Sequence, residues 1–240
     1  MSPTPPEHSR HQRVRAYYDD VYYRDTSTST VPSAHERKLA HRLGIRAGDR
    51  VLDVGCGTGL WLQAVSGLGG LPHGIDISAN ALAACRAALP NADLHCSPAE
   101  ILPWADATFD LVTCLGSLEH FLDPLAALKD MVRATKDGGR MLILVPNADF
   151  LTRRLGLFRG TDQAKIRELV LPIEQWQELF AKAGLQVTAR WKDLHVLSGS
   201  WIRKGPWLRW PLRAAQAIAL ALWPLRWQYQ VYFLCRVRKR

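Results

Sequence analysis

The sequence predicts an α/β domain built on a mostly parallel sheet with helices on both faces. From Arg50 to Asn147, strand-like apolar runs alternate with helical patterns, the order of a parallel sheet joined by crossover helices. Val51, Leu52 and Val54 suit a strand buried on both faces, and the run breaks into glycines at alternate positions, Gly55, Gly57 and Gly59. At 240 residues and 48% hydrophobic content, the chain is long enough for one such domain with a full core.

Taken in order, the stretch MSPTPPEHSRHQR has no apolar core for export and reads as a flexible arm, continued by the Tyr-rich AYYDDVYYRDTSTST. Residues 1–34 are therefore set apart as an arm or lid, and residues 35–240 as one domain. Tyr17, Tyr18, Tyr22 and Tyr23 either close over a ligand or pack on the core. His35 to Leu43 carries a helical pattern that Gly44 stops. After the Val51–Gly59 strand and turn, Thr58 and Gly59 open a helix that sends Leu60, Leu62 and Val65 toward the sheet. The free N–H groups of that helix then face the same crevice as the glycines.

GIDIS ends a second strand at Asp76, 17 residues beyond Gly59, and Ser78 suits the N-cap of the next helix, which leaves Asp76 for a ligand. Phe109–Cys114 is a fourth strand and Gly138–Asn147 a fifth. Residues 148–171 are too long for a simple loop and follow the fifth strand at the carboxyl edge of the sheet, where substrate contacts are often carried. LPIEQWQELFAKAGL is a helix with Pro172 near its start, Trp176, Leu179 and Phe180 on one face and Gly184 as its stop. GLQVTARW and WQYQVYFLCRV are the last two strands.

The glycine turn departs from the dinucleotide-binding pattern G-x-G-x-x-G, because Leu60 stands at its sixth position. VLDVGCGTG, the acidic strand end of GIDIS, the segment SPAEILPW from Ser97 to Trp104, and the FDLVTC strand, in that order, resemble the class I S-adenosylmethionine-dependent methyltransferases. Among these, the chain is similar to the small-molecule enzymes of the ubiquinone-biosynthesis O-methyltransferase kind. The resemblance implies a Rossmann-like, seven-stranded, mostly parallel sheet whose last strand is antiparallel, here with a helical insertion before that strand.

It also implies S-adenosylmethionine as cofactor. Asp53 and the backbone of Gly55, Cys56, Gly57 and Gly59 would hold the methionine end, Asp76 the ribose, and Glu100 with Ile101 the adenine edge; Ile77, Ala99 and Cys114 complete the implied cofactor-binding set. SPAEILPW departs from the GDAEDLPF-like loop of the resembled enzymes, since Pro98 and Ile101 stand where acids are common. Adenine contacts then fall to Glu100 or to backbone groups.

Beyond Cys114, LGSLEHFLDP places Glu119 and His120 just past the fourth strand. In the resembled enzymes the local motif is closer to E-x-L-E-H, whose acids and histidine hold a divalent metal. Here Gly116 replaces the first acid, so no metal ligands are assigned. His120, with Glu119 beside it, is the candidate catalytic base for a hydroxyl or phenol; the alternative is that the two cap or orient the following helix. The implied acceptor is a small apolar or aromatic molecule, quinone-like or lipid-linked, methylated at oxygen, with nitrogen and carbon acceptors close behind. A non-catalytic S-adenosylmethionine-binding protein, or a peripheral membrane or partner-binding protein on the same fold, is the other reading.

The net charge of +9 is concentrated at one end: from Arg190 onward there are eleven Lys/Arg against Asp193 alone, while residues 1–189 hold 20 basic and 21 acidic residues. Five of the nine tryptophans, Trp201, Trp207, Trp210, Trp223 and Trp227, alternate there with arginine. Basic patches with aromatics also bind nucleic acid. The turn after the fourth strand, however, reads Cys114-Leu115-Gly116-Ser117 and not the N-P-P-Y-like turn of enzymes that methylate base amines or glutamine amides. The proline-cysteine pair of a cytosine C5 nucleophile is missing too, so no nucleic acid partner is expected and Cys114 reads as a buried strand end.

The five cysteines are odd in number and form no C-x-x-C pair, which suggests neither a disulfide framework nor a zinc site and fits a reducing cytoplasm. About thirty residues, 195–226, separate the last two strands, where the resembled enzymes have a hairpin. Within them Leu212–Trp223 is a helix of at most twelve residues, about 18 Å long, too short for a hydrocarbon core of about 30 Å. Three roles stay open for it: packing on the sheet, capping the substrate pocket, or lying in a membrane interface.

Overall fold

The computed structural model describes residues 7–24, 31–156, 168–194, 202–203 and 205–237. Its strands are β1 (Arg50–Val54), β2 (Leu71–Asp76), β3 (Asp93–Cys96), β4 (Phe109–Leu115), β5 (Thr135–Pro146), β6 (Leu185–Lys192) and β7 (Gln230–Val237). They form one sheet in the order β3-β2-β1-β4-β5-β7-β6. β1 to β5 pair in parallel, and β7 runs against both of its neighbours. This is the expected doubly wound architecture.

Side chains on the two faces of the sheet build two cores. Leu52, Val54, Val112 and Ile143 face α5 (Pro124–Ala134) and α7 (Ile173–Lys182), which follows the short α6 (Leu151–Arg154), whereas Val51, Leu111 and Leu142 face α2 (Ala34–Arg42), α3 (Leu60–Ser66) and α4 (Ala79–Ala88). The alternation follows from the two-residue period of a strand, and burial on both faces explains why β1 and β4 read as continuous apolar runs. On α7, Ile173, Trp176 and Phe180 are buried, and Trp176 Nε1–H donates to the carbonyl of Pro146 at 2.7 Å. Replacing Trp176 by alanine is expected to cost about 3–5 kcal/mol, since it opens a large void and strips that carbonyl of its donor. Urea denaturation of the variant measures this.

Local signals account for most helix ends. Ser33 and Glu36 form a capping box at the start of α2: the Ser33 hydroxyl accepts from the His35 N–H and bonds the Glu36 carboxylate. Gly44, at φ +62°, ends that helix as expected. Ser78 caps α4 by accepting from the Ala81 N–H at 3.1 Å. α3 differs from expectation in its facing. With Gly59 in the left-handed region as N-cap, Trp61, Leu62, Ala64 and Val65 are the buried residues, and Leu60 turns away from the sheet. Trp61 takes the interior position and donates through Nε1–H to Thr113 Oγ1 at 2.9 Å.

Within the N-terminal segment, residues 7–22 are helical. α1 (Glu7–Tyr17) continues into a π-helical turn, Tyr18–Tyr22. Its sequence shows no apolar stripe, and the segment docks through polar bonds instead. Asp19 Oδ1 accepts from Ser78 Oγ–H at 2.6 Å and from the Asn80 N–H at 3.2 Å, and Arg15 Nε–H donates to the Ile77 carbonyl at 2.9 Å.

Two topological facts position the site. The chain leaves β1 toward β2 and β3 on one side and later places β4 on the other side of β1, so a crevice opens at the carboxyl ends of these strands. Because β7 is antiparallel, its first residue, Gln230, pairs with Pro146 at the carboxyl end of β5, and Lys192, the last residue of β6, lies beside Val231. The β6–β7 connection, with α8 (Trp210–Leu222) inside it, therefore emerges at the same sheet edge as the crevice. Trp201, Lys204, residues 195–200 and the middle of the 148–171 connection lie outside the described residues.

Candidate functional site

A cavity of about 360 Å³ fills the crevice, within the range of small-molecule sites. One end lies against the turn after β1. The Gly55 and Cys56 N–H groups both donate to the Ile75 carbonyl, at 2.8 and 3.1 Å, which ties the turn to β2. Gly57, at φ +53°, brings its N–H to Asp76 Oδ2 at 2.8 Å, and a Cβ there would stand 2.6 Å from the Tyr23 hydroxyl. Only glycine admits both the conformation and the close neighbour. Gly59 shapes the start of α3 but does not line the cavity; Thr58 and Leu60 do. The displaced Leu60 is thus part of the wall.

Asp76 ends β2 with its carboxylate almost enclosed. Oδ1 accepts from the Ser78 N–H and Oδ2 from the Gly57 N–H, both at 2.8 Å. A carboxylate offers about four lone-pair sites, so acceptor capacity remains for a ligand hydroxyl. Burial pushes the carboxyl pKa of Asp76 up, and the backbone N–H groups of Ser78, Gly57 and Ile77 hold it back down. Asp53, on β1, accepts from Thr113 Oγ1–H at 2.7 Å, and the same oxygen of Thr113 accepts from Trp61. Burial raises Asp53 to about 7, against the bond from Thr113, with a smaller contribution from the charge of Asp76.

Ile77, Ala99 and Glu100 also line the cavity, as does Cys56 of the turn. Glu100 Oε1 accepts from the N–H groups of Leu122 and Asp123, at 3.0 and 3.3 Å, and His11 Nε2 lies 3.3 Å from Oε2. Ile101 is corrected: it is 77% exposed and outside the cavity, because the chain turns outward after Glu100. Cys114 is corrected as well. β4 runs one residue further than expected, to Leu115, so Cys114 faces the core beneath α5, fully buried, where desolvation raises its thiol pKa. Leu115, Gly116 and Ser117 form the wall in its place.

The structure separates the two expected catalytic residues. Both belong to a short 3-10 turn, Leu118–His120. His120 lines the cavity, and its ring meets Tyr18 edge-on at 6.5 Å between centroids. Glu119 points into the protein, 3% exposed, and its Oε2 has no hydrogen-bond partner. Burial, with Glu168 adding repulsion, raises its pKa to about 8, so the side chain is mainly a neutral acid at pH 7. Among the described residues no cluster of three or more His, Cys, Asp or Glu is arranged to hold a metal.

The opposite end of the cavity holds a group that sequence reasoning missed. His35 and Glu36 of α2 meet Tyr232 of β7 there, with His35 Nε2 2.9 Å from the Tyr232 hydroxyl and 3.9 Å from Asp193 Oδ1. The Asp193 side chain is 2% exposed, and Tyr232 stacks on Trp191 at 5.4 Å. Burial, followed by Asp193 and Glu36, pushes the phenol pKa well above its ordinary value. Their separation of 197 positions along the chain hid the pair. Val14, Tyr18, Tyr22 and Tyr23 of the N-terminal segment also line the cavity.

A family profile described as a methyltransferase domain matches residues 30–190. A demethylmenaquinone methyltransferase of Renibacterium salmoninarum is 33% identical over 155 residues, 62% of this chain and 64% of that protein. A ubiquinone biosynthesis O-methyltransferase of Idiomarina loihiensis is 38% identical over 117 residues, 46% of this chain and 47% of that protein. The chain thus spans between about half and just under two thirds of these relatives. Phosphoethanolamine N-methyltransferase 2 of Haemonchus contortus, solved with S-adenosyl-L-methionine, shares the fold at a TM-score of 0.66 and 19% identity, over 94% of this chain and 60% of that one. Profile, strand order and glycine turn agree, and the chain belongs to the class I S-adenosylmethionine-dependent methyltransferase family.

Proposed function

We propose that this chain transfers the methyl group of S-adenosylmethionine to an oxygen of a small apolar acceptor, of quinone-like or aromatic hydroxyl type. The observation that carries the reading is the Asp76 carboxylate, fixed by the Gly57 and Ser78 N–H groups inside a cavity that continues to an aromatic far end. The residues present fit the cofactor. Asp76 keeps acceptor capacity for ribose hydroxyls, Asp53 and the tyrosine rings suit a cationic sulfonium, and Ile77 with Ala99 offers an apolar slot for a flat base. The names of the two curated relatives support a quinone-related acceptor.

When bound, S-adenosylmethionine supplies an already activated methyl group. The protein's own work is to position the acceptor, exclude water and remove a proton. Tyr18, Tyr22 and Tyr23 line the cavity and are the residues placed to shield a bound acceptor from solvent. His120 is the proposed base, because its imidazole lines the cavity whereas Glu119 does not. A second reading rests on His35, whose bond to Tyr232 and proximity to Asp193 make it an alternative proton acceptor at the opposite wall.

Methyl transfer from labelled cofactor to phenols, catechols and demethylated quinones tests the proposal. His120→Ala is expected to lower kcat by about 10²–10⁴-fold while leaving S-adenosylhomocysteine affinity within about twofold of wild type. The same loss in His35→Ala, with His120→Ala active, would move the base to the second wall. Tight cofactor binding with no acceptor methylated would leave a binding protein on this fold.

A further inference from the structure

Among the described residues, six of the thirteen large hydrophobic side chains that face solvent fall between Trp207 and Leu222. On α8 they do not scatter. Pro211, Ala215, Ile218 and Leu222 recur at helical spacing, with Leu212 beside them and Leu208 in the 3-10 turn just before, so one whole stripe of the helix is apolar and turned outward. Leu212 is 72% exposed, Ile218 62% and Leu222 77%. Of the thirteen helical residues only Ala217 is buried. An ordinary surface helix has the reverse arrangement.

The helix is nevertheless held firmly. Gln228, itself buried, donates through Nε2 to the carbonyls of Leu220 and Trp223, at 2.7 and 3.1 Å, and Lys192 Nζ donates to the Ala221 carbonyl at 2.6 Å. These bonds fix the end of α8 to the sheet edge and leave its apolar stripe uncovered. Trp207 and Trp210 stand at its start, and Arg203, Arg209 and Arg226 are exposed around it. None of the described residues of the insertion lines the cavity.

We propose that α8 and its flanking tryptophans and arginines dock this protein on an anionic lipid bilayer, lying in the interface plane without crossing it. Charge chooses the occupant. Among the described residues from 202 to 227, Arg203, Arg209, Arg213 and Arg226 flank the helix and no acid stands with them, which matches anionic headgroups, while interfacial tryptophan and a leucine stripe match the boundary with the acyl chains. The helix is about 20 Å long, shorter than a hydrocarbon core of about 30 Å. Among the described residues no helix is long and apolar enough to cross a membrane. Docking in this plane sets the sheet edge that carries the cavity toward the bilayer, where an apolar acceptor would be concentrated.

Flotation of the full chain with phosphatidylcholine vesicles, with and without phosphatidylglycerol, tests the proposal. The wild type is expected to float only with the anionic vesicles, and less so as salt is raised. Combined Leu212→Glu, Ile218→Glu and Leu222→Glu changes sit on solvent-facing positions and are expected to lower vesicle binding at least about tenfold. Arg209→Glu with Arg226→Glu is expected to do the same, and both variants keep S-adenosylhomocysteine affinity within about twofold. Three results would overturn the docking: a wild type that does not float, a leucine-face variant that floats like wild type, or a variant whose only change is loss of self-association in sedimentation. The last would assign the face to a second copy. Because cofactor affinity is read separately, failure of docking and failure of the methyltransferase reading remain distinct.

Discussion

Asp76→Ala is expected to weaken binding of S-adenosylmethionine and S-adenosylhomocysteine by at least about 100-fold, with the fold retained. Hydrogen bonds to a charged acceptor contribute about 1.5–3 kcal/mol each, and two ribose hydroxyls would lose theirs together. The loss does not stop at the ligand. Gly57 and Ser78 each give an N–H to this carboxylate, so the variant also releases the glycine turn from the end of β2. Asp76→Asn separates the two effects, since its amide oxygen still accepts one backbone N–H while the charge is gone. Calorimetric titration of both variants measures this, with circular dichroism to confirm folding. Affinity within tenfold of wild type in the alanine variant would remove Asp76 from the cofactor site.

Glu119→Gln is expected to stabilise the protein above neutral pH and to flatten its stability profile. In the folded chain the carboxyl titrates at about 8, against about 4.3 for an unfolded glutamate. Between those values the folded state holds a proton that the unfolded state has released, so stability falls as pH rises and levels off above about 8. At 1.36 kcal/mol per unit the fall is on the order of 5 kcal/mol. Glutamine keeps the shape without the ionisation, and urea denaturation from pH 5 to 9 should show the wild type losing stability that the variant keeps. Parallel profiles would mean that Glu119 reaches water in the folded chain. The same burial explains why Glu119 and His120 do not form an acid–base pair, because a carboxylic acid already protonated at pH 7 gives its neighbour no charge.

What the sequence displays well is the part of the site built from local rules. An apolar run that ends in glycines marks β1 and its turn, and a carboxylate at the next strand end, followed by a serine that takes over the capping, leaves Asp76 for a ligand. Signals fail where a single residue's phase decides the outcome. Gly59 as N-cap rotates α3 so that Trp61, not Leu60, is buried, and one more residue in β4 exchanges Cys114 for Leu115 at the cavity wall. They fail again where contacts are polar and distant. Asp19 reaches Ser78 and Asn80 across about sixty residues, and His35 reaches Tyr232 across 197, so neither leaves a periodic trace. The outward-facing stripe of α8 misleads in another way, because periodicity reveals a stripe without telling which side is wet.

Because β7 enters the sheet backward, between β5 and β6, any chain added before it is delivered to the mouth of the cavity, while the ladder from Arg140↔Arg236 to Pro146↔Gln230 needs no adjustment. The turn after β1 and the end of β2 are fixed by bonds made far upstream, so that loop can be lengthened, shortened or exchanged without retuning them. The molecule therefore divides its labour along the chain: the first half builds the glycine turn and the Asp76 strand end, and the loop before β7 is free to change in length and composition.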